Sequence, residues 1–376
     1  MSLESYVLKL QKETNPGAVE GALQSGLSVL ESVYIRGAAA RRAKETAHAV
    51  HAGIPVVSVG NITAGGTGKT PCIIGLAETC LAAGLLPAII SRGYKSELEK
   101  TGGIVSDGRK ILLSQRQAGD EPYMMAQKLP GVPILIGKDR LKSAAAAKGL
   151  GAQILLLDDG FQYWKLARDL DIVLIDATDP FGGGRVLPRG LLREPKEALS
   201  RAGFFFLTKA GQVTEEARED IKKELAYYAP GVPIVCADHA PATLTALSDW
   251  PETVPLAEAE KGTAFLLSGI GNPAAFRKTA EEAGLTVLGM KMLPDHAAYT
   301  KADVADAVSE AKKHGAASLV ITEKDAVKIK ENIALSPEDA AYIKVLGIEM
   351  KETGGASPFG EILKFIKKSS AQADTD

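Results

Sequence analysis

Apolar residues come in short runs separated by glycine, proline and charged segments. Along most of the chain, runs of extended and helical character alternate. The apolar run at 55–59 predicts a buried strand. Helical spacing over 73–83, stopped near Gly84, precedes a short strand at 86–91. A helix over 121–128, a strand over 132–136 and an alanine-rich helix over 140–148 follow. Residues 154–157, 172–175 and 204–207 read as further buried strands. Alternation of this kind gives a mostly parallel sheet covered by helices on both faces. A polar helix over 214–227, a break at 230–233 and an extended stretch at 234–247 come next. A new α/β unit then begins: strand 264–268, helix 274–283, and later strands at 319–322 and 343–348. The change in pattern near 235–250 divides the chain into a larger unit over 1–240 and a smaller one over 241–350.

The N-terminal region has its own pattern. Leu23, Leu27, Leu30 and Tyr34 recur at helical spacing with Val33 beside them, and Arg36, Arg41, Arg42 and Lys44 follow. An amphipathic helix with a basic end either packs on the protein or lies against anionic headgroups.

Composition narrows the class. The 376 residues are 45% hydrophobic and 24% charged, as in a water-soluble globular chain of one large or two smaller domains. A net charge of −2 gives no electrostatic case for a nucleic-acid partner. Three cysteines at no metal or redox spacing fit a reducing compartment. No signal peptide or membrane span is evident, since the longest uncharged stretch, 46–68, is interrupted by Pro, Asn, Thr and Gly.

The sharpest chemical signal is Val56-Val57-Ser58-Val59-Gly60-Asn61-Ile62-Thr63-Ala64-Gly65-Gly66-Thr67-Gly68-Lys69-Thr70-Pro71. It reads as strand, glycine-rich turn and helix start, which exposes backbone N–H groups to an anion. Thr63 stands where the strict P-loop pattern has its first glycine. Gly65, Gly66, Thr67 and Gly68 would wrap phosphate oxygens, Lys69 would reach the outer phosphates and the Thr70 hydroxyl would hold Mg²⁺. The chain is therefore expected to bind a nucleoside triphosphate on a P-loop-type α/β fold.

Other motifs sit at strand ends or helix starts. Leu155-Leu156-Leu157-Asp158-Asp159 is an apolar strand ending in two carboxylates, suited to Mg²⁺ beside a phosphate loop. If strand geometry continues, the two point to opposite faces and only one reaches the metal. Gly119-Asp120-Glu121-Pro122 opens a helix. Asp120 reads most simply as its cap, and otherwise as a general base. The segments 181–185 and 189–195 form a glycine-rich loop bearing Arg185, Arg189, Arg193 and Glu194, either for phosphate charge or as solvated surface. Pro294-Asp295-His296 and Thr322-Glu323-Lys324-Asp325 follow strands of the second unit. The latter reads as a charged turn.

Taken in order, these motifs resemble one family, the tetraacyldisaccharide 4′-kinases, or lipid A 4′-kinases. Besides those above, the resemblance rests on Ser91-Arg92-Gly93-Tyr94, Gly160-Phe161-Gln162, Leu166-Ala167-Arg168-Asp169, Arg185-Val186-Leu187-Pro188, Leu192-Arg193-Glu194-Pro195, Gly269-Ile270-Gly271-Asn272-Pro273 and Ala326-Val327-Lys328. It covers residues 56–328. It implies transfer of the γ-phosphate of ATP, with Mg²⁺, to the 4′-hydroxyl of a tetraacylated glucosamine disaccharide 1-phosphate. It further implies a peripheral, monomeric enzyme at the cytoplasmic face of the inner membrane, touching it through the N-terminal helix. The family has two α/β domains joined by a two-stranded linker. Here stretches near 234–247 and 341–350 would supply the linker, and a helix at about 355–370 would return to the first domain. By the resemblance Asp120 is the general base and His296 its partner. Lys69 and Thr70 contact phosphate and Mg²⁺, and Asp159, with Asp158 and Glu194, supplies metal carboxylates. Arg193 is taken as the transition-state cation.

Two positions depart from the family pattern: Tyr163 stands where His usually follows Phe-Gln, and Ala297 follows Pro-Asp-His. The competing class is a membrane switch ATPase of the ParA/MinD type. Such proteins carry a lysine before the Gly-Gly of the loop, where this chain has Ala64. A lipid-binding scaffold without turnover is a third reading, disfavoured by Lys69, Thr70, Asp120, Asp159 and His296.

Overall fold

The computed structural model describes residue 11 and residues 17–294, 298–353 and 359–373. The strands are β1 (Val56–Gly60), β2 (Pro87–Ser91), β3 (Gly103–Asp107), β4 (Pro133–Ile136), β5 (Ile154–Asp158), β6 (Leu170–Asp176), β7 (Phe204–Thr208), β8 (Ile234–Ala246), β9 (Thr263–Ser268), β10 (Thr286–Met292), β11 (Ser318–Thr322) and β12 (Ile343–Glu352). The helices are α1 (Ala18–Thr46), α2 (Lys69–Ala82), α3 (Gln115–Ala118), α4 (Asp120–Lys128), α5 (Arg140–Gly149), α6 (Glu215–Tyr228), α7 (Pro273–Glu282), α8 (Lys301–Lys313), α9 (Glu323–Asn332), α10 (Pro337–Tyr342) and α11 (Gly360–Ala373).

All twelve strands join one sheet in the order β10-β9-β11-β12-β8-β7-β6-β1-β5-β2-β4-β3. Pairing is parallel except for β3 with β4 and β8 with β12. The mostly parallel α/β architecture expected from the alternating pattern is therefore present. β8 pairs with β7 through residues 234–237 and with β12 through 237–246, so hydrogen bonding runs unbroken across the region where the pattern changes.

β1 lies between β5 and β6, parallel to both, with Val59 beside Asp158 and Gly60 beside Val173. Its five residues are all buried, which explains the continuous apolar run instead of an alternating one. In such sheets the loops at the carboxyl ends of the strands frame the ligand crevice. Large side chains pack both faces: Val57, Ile73, Leu76, Ile89 and Leu156 on one, Ile62, Phe161, Val173 and Phe205 on another. Burying each is worth about 1.5–3 kcal/mol, which keeps the strand ends rigid. Phe359, just before α11, stacks at 5.7 Å on Phe206 and lies under Gly75 of α2, so the last described helix packs on the first half.

Several elements escape the pattern reading, β3 and α8 among them. β3 is a polar edge strand, Gly103-Ile104-Val105-Ser106-Asp107, too mixed to form an apolar run. α8 does place Val304, Ala307, Val308 and Ala311 on one buried face, but alanine weakens the periodic signal.

α1 is inverted relative to an ordinary packed helix. Gln24 and Glu31 face inward, while Val29, Leu30 and Val33 are 66%, 55% and 62% exposed. Glu31 accepts from the Val186 backbone N–H at 2.6 Å and lies 3.4 Å from Arg185. Tyr34 donates to the Arg193 carbonyl at 3.2 Å. The helix is thus moored to the arginine loop by polar contacts, and its apolar stripe is left to solvent.

Candidate active site

The chain leaves β1 at Gly60 and turns back at once. Gly65 and Gly68 hold φ of 127° and 87°, a region L side chains rarely adopt. Gly68 is also crowded: a Cβ there would meet the His239 imidazole at 2.1 Å. That ring, from β8, is kept neutral, because burial and nearby Lys209 push its pKa down to about 4. α2 starts at Lys69 with Thr70 and Pro71 in its first turn. The loop's open N–H groups therefore face the crevice at a helix start. A shallow cavity lies there, lined by residues 63–67 with Asp176, Asp179 and Leu191.

The arginine loop is laced onto this turn. Ala64 donates to the Leu191 carbonyl at 2.7 Å, Arg193 N–H to the Ile62 carbonyl at 2.6 Å, and Thr63 bridges Leu192. That lacing delivers Arg193. One guanidinium nitrogen of Arg193 lies 2.9 and 2.8 Å from the two Asp159 oxygens, and Lys69 Nζ lies 3.5 Å from the same carboxylate. Lys69 also donates to Asn61 Oδ1 at 3.1 Å, and Asn61 Nδ2 donates to the Thr63 carbonyl at 2.8 Å. Asn61 is fully buried and braces both the loop and its lysine. Reading the motif residue by residue passed over this role; the signal was a polar side chain placed between a core strand and the glycines.

The two carboxylates behind β5 are in opposite electrostatic states. Asp158 is 5% exposed; its Oδ2 accepts from Ser91 at 2.8 Å and its Oδ1 has no partner. Burial, then Glu121 and Asp159 nearby, raise its carboxyl above the usual range. Burial would raise Asp159 too, but Lys69 and Arg193 outweigh it and hold that carboxyl at about 2. Asp159 leaves strand geometry at φ 50°, so the alternation of faces expected for a continuing strand stops at Asp158. Arg140, 5% exposed, donates to the carbonyls of Asp158 and Asp159 at 2.9 and 3.1 Å and clamps this turn. Tyr163 packs its ring 5.0 Å from the Arg140 guanidinium and accepts from the Arg140 N–H at 3.1 Å.

Glu194, read from sequence as a metal ligand, is otherwise engaged. Its Oε1 accepts from Arg201 at 2.8 Å and Gln162 at 3.2 Å, and its Oε2 lies 3.6 Å from Arg42. In this arrangement it anchors the arginine loop, because a buried carboxylate takes the nearest cations. Among the described residues there is no group of three or more His, Cys, Asp or Glu side chains set to hold a metal. A divalent ion nonetheless fits Asp158, whose unpartnered buried oxygen and raised carboxyl are what a cation would relieve, with Thr70 as a neutral oxygen donor.

Asp120 does not cap its helix. The cap position is Gly119, at φ 90°, and Asp120 is the first helical residue. Its Oδ1 accepts from Gln115, and its Oδ2 lies 3.7 Å from Lys328. The charge of neighbouring Glu121 reaches Asp158, so the start of α4 stands beside the end of β5. Thr322-Glu323-Lys324-Asp325 is likewise no turn. Thr322 caps α9 by accepting from Asp325 N–H at 3.2 Å, and Glu323 and Asp325 are buried. Asp295, His296 and Ala297 lie outside the described residues.

A phosphate-wrapping loop on a central parallel strand, with cations and carboxylates gathered at its mouth, defines a P-loop kinase fold. The model of the family described as tetraacyldisaccharide-1-P 4′-kinase matches residues 23–364. The tetraacyldisaccharide 4′-kinase of Halothermothrix orenii is 38% identical over 94% of this chain and 95% of its own length. That of an Anaeromyxobacter species is 42% identical over 85% and 86%. The crystal structure of the "apo" form of LpxK from Aquifex aeolicus in complex with ATP superposes with a TM-score of 0.69 at 28% identity, covering 92% of this chain and 99% of that one. The chain belongs to the tetraacyldisaccharide-1-P 4′-kinase family, and it is a kinase.

The Tyr163 side chain reaches the site through Arg140. Tyr163→His is therefore expected to leave the transfer rate within a few-fold of the parent. A large gain in steady-state rate would assign that position a direct role.

Proposed function

We propose that the protein transfers the γ-phosphate of ATP to the 4′-hydroxyl of a tetraacylated glucosamine disaccharide 1-phosphate, a step of lipid A biosynthesis. The observation that carries this reading is the convergence of Lys69 and Arg193 on Asp159 at the mouth of the phosphate loop, in a chain of this family. Two cations parked on one carboxylate are a ready receptor for a polyphosphate. When ATP enters, Lys69 turns to its outer phosphates and Arg193 meets the charge that develops in transfer. Gly65 to Thr70 wrap the phosphates through backbone N–H groups.

Asp158 and Thr70 would hold Mg²⁺, with Asp159 close enough to contribute once Arg193 turns away. Such an ion, when bound, neutralises phosphate charge. Asp120 takes the proton of the sugar hydroxyl. That hydroxyl is almost wholly un-ionised near neutrality, so the base is needed as the new P–O bond forms, in line with the bond that breaks. His296 is the partner of Asp120 by resemblance. The units over 1–240 and 241–350 act as domains that close on the acceptor.

The exposed stripe of α1 supports docking on the cytoplasmic face of the inner membrane, where the acyl chains of the acceptor lie. Among the described residues no helix is long and apolar enough to cross a membrane. We take the working form to be a monomer.

The test is phosphate transfer from γ-labelled ATP, with Mg²⁺, to a tetraacyl disaccharide 1-phosphate in detergent micelles. Labelled lipid is the expected product. Label released only as inorganic phosphate would favour the switch-ATPase reading instead.

A further inference from the structure

α9 carries charges that the chemistry above does not use, and they meet α4, which packs against it. Lys128 Nζ lies 2.6 Å from Glu323 Oε1, Lys324 is paired with Glu121, and Lys328 Nζ lies 3.7 Å from Asp120 Oδ2. The last pair differs from an ordinary surface bridge. Lys328 is 7% exposed, and a cation removed from water is costly unless anions compensate it. Two do. Asp120 approaches from α4, and Asp325, three residues back on α9 and fully buried, feels the Lys328 charge. Asp325 is itself fixed, accepting from Thr322 Oγ1 at 2.7 Å and from Gly269 N–H at 3.4 Å. Lys328 thus lies in the field of a buried carboxylate on its own helix and presents its charge 3.7 Å from Asp120.

We propose that Lys328 is a positioning residue for the transfer reaction: reaching over from the second half, it keeps the Asp120 carboxylate aimed while the acceptor hydroxyl is bound. The proposal rests on the reading of Asp120 as general base. It gives the segment Thr322–Lys328 a function that a charged turn would not have. It also ties the base to the relative placement of the halves, since the base and its cation come from different ones.

Other charged groups surround Asp120. On its own helix there are Glu121 and Lys128. α9 brings Glu323 and Lys324 besides Lys328, and α3 brings Arg116 beside the neutral Gln115. The loop after β2, whose Tyr94 carbonyl and Ser96 side chain lie near Gly119, carries Arg92 and Lys95. Of the ion pairs to Asp120 among the described residues, that with Lys328 is the one within 4 Å.

The experiment is steady-state lipid phosphorylation, with KM for ATP and thermal melting read alongside. Lys328→Met is expected to lower kcat by about 10–100-fold with KM for ATP within about twofold. Lys328→Arg keeps the charge and should restore most of the rate. Lys128→Met removes a more distant pair and should leave kcat near that of the parent. If Lys328→Met melts early, Lys328→Gln carries the same readout. Parent-like kcat in the charge-free variants, or Lys328→Arg as impaired as Lys328→Met, overturns the proposal. Asp120→Asn, measured in parallel, separates the two ideas. Parent-like activity there defeats the base assignment and this proposal with it. An inactive Asp120→Asn beside parent-like charge-free variants defeats the role of Lys328 alone.

Discussion

Asp120→Ala is expected to reduce kcat by about 10²–10⁴-fold, the range for loss of a general base, with ATP binding largely kept. The separation of the two effects follows from where the side chain sits. The phosphate loop is braced by Asn61 and the Arg193 loop, neither of which contacts Asp120 among the described residues. Asp120 is engaged by Gln115 and Lys328 alone among the described contacts. The substitution also strips a buried lysine of a partner, so thermal melting must accompany the kinetics. Asp120→Asn keeps the shape and should lose the rate equally. ATP affinity is read by titration calorimetry and turnover with saturating lipid. A variant that binds ATP poorly but turns over normally once saturated would remove Asp120 from the chemistry.

Asp158→Asn has two expected effects of opposite sign. Transfer falls by about 10²–10³-fold, as when one stabiliser of transition-state charge is deleted. The ligand-free protein, however, melts a few degrees higher at pH 8. The sign follows from linkage. Burial raises the Asp158 carboxyl above its unfolded value, so the native state disfavours the ionised form. Its contribution to stability is fully present below the unfolded pKa and is lost as pH rises through the folded one. At pH 8 the native protein holds a buried charge with one unpartnered oxygen, which the neutral amide relieves. The advantage should vanish near pH 4. Asp159 behaves conversely, contributing above its unfolded pKa and losing it as pH falls toward about 2. Calorimetric melts at the two pH values, with Mg²⁺-dependent transfer alongside, check both effects. Normal Mg²⁺ dependence in Asp158→Asn, or a lower melting temperature at pH 8, would dismiss this account of the site.

Local chemistry was legible along the chain where contiguous residues do the work. A glycine-rich turn between a buried strand and a helix needs no distant partner to present its N–H groups, so residues 63–70 could be read directly. Buried parallel strands likewise announce themselves as apolar runs, which is why β1, β5, β6 and β7 were placed within a residue or two. Mixed or small-residue segments such as β3 and α8 were not.

Side chains whose surroundings depend on a partner far along the chain were legible only in part. Asp120 reads from its neighbours as a cap or a base, and in the fold Gly119 takes the cap while a lysine 208 positions later lies beside the carboxylate. Glu194 carries no sign in the sequence of its pairing with Arg42 and Arg201. The residues of the α1 stripe read more readily as a face packed on the protein than as a membrane face, yet Glu31 and Gln24 form the buried side. From the sequence alone came the parallel α/β frame, the phosphate loop and, through the ordered motifs, the family. The tertiary structure alone decided which carboxylates are paired, which is left open, and which cation faces Asp120. Backbone periodicity and turn chemistry act over a few residues, whereas charge and burial depend on what the folded sheet brings within a few ångströms.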